Sequence, residues 1–91
     1  MGDFFLTWTK EEGDETYTLY VPEVDVFGVG PTQEAAVESL IETIQEYATL
    51  YFGDLQYYLS PMVGRNGHFE YLRRIIRCDG DHKQIRAALG L

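Results

Sequence analysis

Residues 32–53 read TQEAAVESLIETIQEYATLYFG, and this stretch decides the fold. Val37, Leu40, Ile41, Ile44, Tyr47, Ala48 and Tyr51 fall at i, i+3, i+4, i+7, i+10, i+11 and i+14, the apolar stripe of a helix with 3.6 residues per turn. Glu34, Glu38, Glu42, Gln45, Glu46 and Thr49 take the remaining faces. Thr32 is a good N-cap, Glu34 sits in the first turn where the helix dipole favours a carboxylate, and Gly53 is a plausible stop. The spacing predicts an amphipathic helix of five to six turns with one face to bury.

The residues before it supply a partner layer. Phe4, Leu6 and Trp8 alternate with Phe5, Thr7 and Thr9, the period of a half-buried strand. A polar turn around Gly13 follows, and then Tyr17, Leu19 and Val21 alternate with Thr16, Thr18 and Tyr20 up to Pro22, which cannot donate to a ladder. These two runs predict an antiparallel hairpin. Residues 24–29 are rich in β-branched side chains and bounded by Gly28, Gly30 and Pro31, which predicts a short third strand. The fold class expected is α+β: a small antiparallel sheet in β-β-β-α order, packed by the long helix so that Leu6, Trp8, Tyr17 and Leu19 are buried with the helix stripe.

Beyond Gly53 short helices are expected. Residues 54–59 carry Leu55, Tyr58 and Leu59, residues 61–67 read as a loop, and Phe69, Leu72, Ile75 and Ile76 recur at helical spacing until Asp79-Gly80. Asp81 can cap a last helix holding Ile85, Ala88 and Leu89. With 91 residues, 45% of them hydrophobic and 14% aromatic, the chain is expected to be one domain, a β-β-β-α unit over residues 1–53 with a helical extension over 54–91.

The net charge of −8 is unevenly spread. Residues 1–60 hold twelve carboxylates against a single cation, Lys10, for −11; residues 61–91 hold six cations against Glu70, Asp79 and Asp81, for +3. The far field of the molecule repels nucleic acid, so any such contact is confined to the C-terminal third. No apolar run approaches the ~20 residues that span a bilayer. The N-terminal MGDFF lacks the features of a signal peptide, and Cys78 is the lone cysteine, so a cytoplasmic protein is expected.

Two segments carry a family resemblance. Tyr17-Thr18-Leu19-Tyr20-Val21-Pro22-Glu23-Val24 is similar to a Y-x-A-x-V-P-E-L-P-G pattern, and Gly28-Val29-Gly30-Pro31-Thr32-Gln33-Glu34-Ala35-Ala36 to a G-x-T-x-E-E-A helix start. In that order, strand, turn, strand, strand, helix, they resemble the N-terminal region of the HicB-like antitoxins over roughly residues 4–52. The chain departs from the pattern at Asp25-Val26-Phe27, and no fourth strand is expected after the helix. The resemblance implies a partial ribonuclease-H-like unit and a non-enzymatic antidote to a toxin, whose usual partner is a small basic ribonuclease.

Candidate surfaces follow. Glu11, Glu12, Asp14, Glu15, Glu23 and Asp25 are candidates for binding a basic toxin, since an RNA-binding enzyme needs positive potential that a strongly acidic face would attract. The same acids could equally be a solvated face that confers solubility. Arg73, Arg74, Arg77, Lys83 and Arg86 lie on two short helices separated by Cys78-Asp79-Gly80-Asp81, superficially a helix-turn-helix that would contact DNA and regulate transcription. Their alternative role is to pair with the acidic segment. His68 suggests a general base or simply a loop histidine, and Gly28 to Thr32 an anion site or a strand-to-helix turn. The dense aromatics Tyr47, Tyr51, Phe52, Tyr57 and Tyr58 read as core, with any surplus serving a homodimer. No catalytic residue, cofactor or metal site is expected: Cys78, Asp81, His82 and His68 lack paired ligand spacings.

Overall fold

Thr32 marks the switch from extended chain to helix in the computed structural model, which describes residues 4–10, 13 and 15–91. Its backbone is extended (φ −134°, ψ 164°) and its Oγ1 accepts from the Ala35 N–H at 3.0 Å, satisfying one of the donors a helix start leaves open. The helix α1 that follows, Gln33–Gly53, buries Ala36, Val37, Leu40, Ile41, Ile44, Tyr47, Ala48 and Tyr51. This is the expected stripe with Ala36 added. Two hydroxyls on its polar side, Thr43 and Thr49, return to the carbonyls of Ser39 and Gln45 one turn back.

Three strands, β1 (Thr7–Lys10), β2 (Tyr17–Val21) and β3 (Val26–Gly30), form an antiparallel sheet in the order β1-β2-β3. The α+β architecture expected from the sequence is thus the one observed. Trp8 stands opposite Leu19, and Leu19 opposite Gly28, so one face carries Trp8, Leu19 and Gly28 while the other carries Thr7, Tyr20 and Phe27. The helix covers the first of these faces. A β-carbon on Gly28 would lie 2.3 Å from the Leu40 nitrogen and 2.4 Å from the Ala36 carbonyl oxygen; on Gly30 it would lie 2.6 Å from the Ala35 Cβ. The two glycines are where α1 rests its backbone on β3, a closeness that no side chain permits.

That placement corrects the expected core: of Leu6, Trp8, Tyr17 and Leu19 only Leu19 is fully buried, and Leu6 and Tyr17 are half-buried. Because α1 lies over β3 and β2, the β1 strand is left at the far side of the sheet and is exposed along its length. Trp8, expected to be buried, is 40% exposed and leans edge-on against Tyr17, their ring centroids 6.5 Å apart. Strand limits shift for local reasons. In the observed register Phe5 would face Pro22, which has no N–H to return; the ladder stops at Thr7, and the Phe5 N–H is taken instead by the Glu23 carboxylate at 3.1 Å. The third strand begins at Val26 rather than Val24 because residues 22–25 form the turn, closed by Asp25 in the left-handed region (φ 55°). Val24 is nonetheless fully buried.

Asp54 ends α1 and caps α2 (Leu55–Tyr58). A 3-10 turn at Asn66–His68 leads into α3 (Phe69–Ile76), and Asp81 starts α4 (His82–Ala88), its carboxylate accepting from the Lys83 and Gln84 N–H groups. Leu72, Ile75, Ile85 and Leu89 join the same core as α1 and the sheet, each contributing about 1.5–3 kcal/mol by leaving water. Tyr47 and Tyr51 are core residues too, Tyr51 stacked on Tyr58 at 5.2 Å, whereas Tyr57 faces solvent. The buried Cys78 thiol donates to the Arg74 carbonyl at 3.3 Å, and its surroundings push its pKa up.

Candidate functional site

Three of the acids read from the sequence as toxin-binding, Glu11, Glu12 and Asp14, lie outside the described residues. The other three are divided by the length of β2. Glu15 precedes the strand, in the left-handed region (φ 54°), and is exposed. Glu23 and Asp25 sit together in the turn after it, about 16 Å further along at ~3.3 Å per strand residue. Both have structural duties: Glu23 holds the Phe5 N–H, and Asp25 accepts from the Tyr20 hydroxyl at 2.7 Å, a bond that raises the phenol's pKa.

A second row of carboxylates was not singled out as a site, though its spacing was visible. Glu34, Glu38, Glu42 and Glu46 recur every four residues and make one exposed ridge along α1. Like charges at that spacing repel, and α4 offsets part of this. Arg86 grips Glu34 with two bonds, at 2.7 and 3.3 Å, and the His82 ring lies 3.6 Å from Glu38. The Arg86 contact holds the Glu34 carboxyl below the usual carboxylate range. Glu42 and Glu46 make no ion pair among the described residues.

The five cations read as a DNA-contacting patch differ in their partners. Arg73 pairs with Glu70 on its own helix at 3.1 Å, and the Arg74 guanidinium lies over the rings of Phe4 and Tyr71 at 5.8 and 5.7 Å. Arg86 turns back to α1. Arg77 and Lys83, on either side of the α3–α4 turn, make no ion pair among the described residues.

His68 is held, not free in a loop. The Tyr47 hydroxyl receives an N–H from Arg65 at 3.1 Å and shares a hydrogen bond with His68 Nδ1 at 2.7 Å. The ring is half-buried. Partial burial and then the Arg65 charge lower its pKa below the ordinary value. Tyr51 adds a bond to the Arg65 carbonyl at 2.8 Å. The cluster pins the 3-10 turn to α1; among the described residues no three His, Cys, Asp or Glu side chains gather as a metal would require.

The sheet face turned away from α1 is open. Phe5, Phe27 and Val29 are 69%, 55% and 46% exposed. Phe4 and Leu6 pack on the core, which by strand alternation turns Phe5 outward beside Thr7, and the register sets Thr7, Tyr20 and Phe27 in one row and Thr9, Thr18 and Val29 in the next. The sequence signal for this face was the polar half of the strand alternation, in which Phe5 and Phe27 are out of place.

These features define a small acidic two-layer α+β protein with one covered and one open sheet face. A family model described as PHD-like, antitoxin of toxin–antitoxin, RelE/RelB, matches residues 3–90, and the chain belongs to that antitoxin family. The antitoxin part of a proposed toxin/antitoxin system from Syntrophomonas wolfei subsp. wolfei superposes with a TM-score of 0.76 at 20% identity, over 94% of this chain and 59% of that one. This chain thus spans under two thirds of that relative's length. No curated protein matches it. The HicB-like resemblance and the family match agree on an antitoxin; the family matched is the PHD-like one.

Proposed function

We propose that this chain is the antidote of a toxin–antitoxin pair and neutralises a small basic toxin, a ribonuclease as in HicB-like pairs, by binding it rather than by catalysis. The observation that carries this is the antitoxin family match along residues 3–90. The charge distribution supports the partner's sign. A surface with −11 over its first sixty residues attracts a cationic RNA-binding enzyme and competes with RNA phosphates for it. Such a protein works in the cytoplasm, where the toxin's RNA substrate is, and as a homodimer. The test is co-expression with the product of the adjacent reading frame. That product alone arrests growth, and this chain relieves the arrest and co-purifies with it; absence of a complex at micromolar concentration overturns the proposal.

A second activity, operator binding, has one observation in its favour: Arg77 and Lys83 flank the turn between two short helices and make no ion pair among the described residues. Arg73 adds to it at small cost, since its pair with Glu70 is an exposed one. Retardation of the chain's own promoter fragment, weakened by salt and lost on Arg73→Ala with Arg77→Ala, is the expected result. Equal retardation by that variant removes the activity.

A further inference from the structure

The open sheet face is apolar where a solvated sheet is polar. Antiparallel sheets with one face in water alternate cleanly, and exposed positions of such strands carry charged or hydroxyl side chains. Here threonines at Thr7, Thr9 and Thr18 keep that rule, while Phe5, Phe27 and Val29 break it. At its margin stands Asp25, whose carboxylate is bonded to the outward Tyr20 hydroxyl. An apolar centre with a carboxylate at its edge has the composition of a protein interface.

Three occupants are conceivable, and charge selects among them. A second copy stacked face to face would bring together two sheet layers whose residues 4–30 each sum to −5, with Lys10 as the only cation in each. A second copy docked through its C-terminal segment would offer a sum of only +3, and its Arg86 is held by Glu34. A basic protein meets neither objection. We infer that the outer sheet face, centred on Phe5, Phe27 and Val29 and edged by Asp25, is the surface on which the basic toxin docks.

This inference rests on the antitoxin proposal and names its contact surface. Three strands about 4.8 Å apart and five residues long present only roughly 250 Å² in projection, below the ~800 Å² per partner of a stable complex. The apolar face is therefore the centre of a larger contact, completed by the acids at both ends of the strands. Apolar residues at the centre set how long the complex lasts, and the acids set how fast it forms.

The experiment uses the full chain and, as probe, the purified product of the adjacent reading frame. Phe5→Ser with Phe27→Ser is expected to weaken binding by roughly 30-fold, mainly through faster dissociation, with the melting temperature little changed. Leu50→Ser, an equally exposed apolar residue on α1, is expected to leave binding within about threefold. Methyl chemical-shift mapping on the wild-type chain gives a readout independent of the variant's folding: Val29 shifts on titration with the probe and Leu50 does not. If the wild type binds and the double variant binds equally, or Leu50 shifts in place of Val29, the face is overturned while the antitoxin proposal stands. If the double variant turns a dimer of this chain into a monomer without affecting the probe, a second copy is the occupant and the inference fails. No complex with the wild type overturns both.

Discussion

Gly28 has no side chain, and the distance between the two layers depends on that. Its Cα faces backbone atoms of α1, the Leu40 nitrogen and the Ala36 oxygen, which cannot rotate aside as a flexible side chain would. Gly28→Ala must therefore push the helix off β3, and overpacking of this kind costs about 3 kcal/mol or more. The expected result in thermal denaturation is a melting temperature lower by roughly 15 °C. By contrast Gly53→Ala, with open space where the Cβ would go, leaves it unchanged or slightly raised. The need for glycine at 28 was only half legible. A glycine inside an apolar run signals a bulge or a close approach, and the sequence does not say which element approaches.

At the scale of elements, α1 was almost wholly legible because its signals are local. Its stripe, its N-cap and its last residue agree with the structure. Thr32→Ala removes the bond to the Ala35 N–H and is expected to cost about 1 kcal/mol, whereas Thr32→Ser keeps the hydroxyl and most of the stability, as urea midpoints will show. The short elements were legible for the same reason: Asp81 caps α4 as expected, and Asp54, read as the first residue of a short helix, proves to be the cap of α2. β1 was the misjudged element. Alternation correctly placed Trp8 on the helix side, but burial depends on where the helix lies across the sheet, and the glycines draw it toward β3. The individual partners of the C-terminal cations were not legible for a similar reason. Helical spacing tells which residues share a face, but not that Arg86 faces the carboxylates of α1 and Arg74 the rings of Phe4 and Tyr71.

For the whole molecule, the contacts that join the C-terminal segment to α1 carry a pH signature. His68 is favoured as the neutral ring in the fold, so its pKa falls below the 6.5 of the open chain. The unfolded chain then takes up the proton first, and the stability His68 contributes is full above pH 6.5 and lost as pH falls through the lowered value. Glu34 is favoured as the carboxylate, so its contribution is full above 4.5 and lost as pH falls further. Urea midpoints measured across pH are expected to decline in two steps, the first removed by His68→Gln and the second by Glu34→Gln. A flat profile between pH 7 and 5 in the wild type would show that the Tyr47–His68 bond does not couple to folding.

Whatever depends on neighbours along the chain was legible in the sequence: the element order, the helix stripe and its N-cap, the antiparallel hairpin, and a charge divided into −11 and +3. Only the tertiary structure decided which acids and bases meet, which aromatic residues leave solvent, and that one apolar sheet face stays open. Those outcomes turn on the position of α1 across the sheet, a contact between Gly28, Ala36 and Leu40 that local propensity cannot specify because its two sides are brought together only by packing.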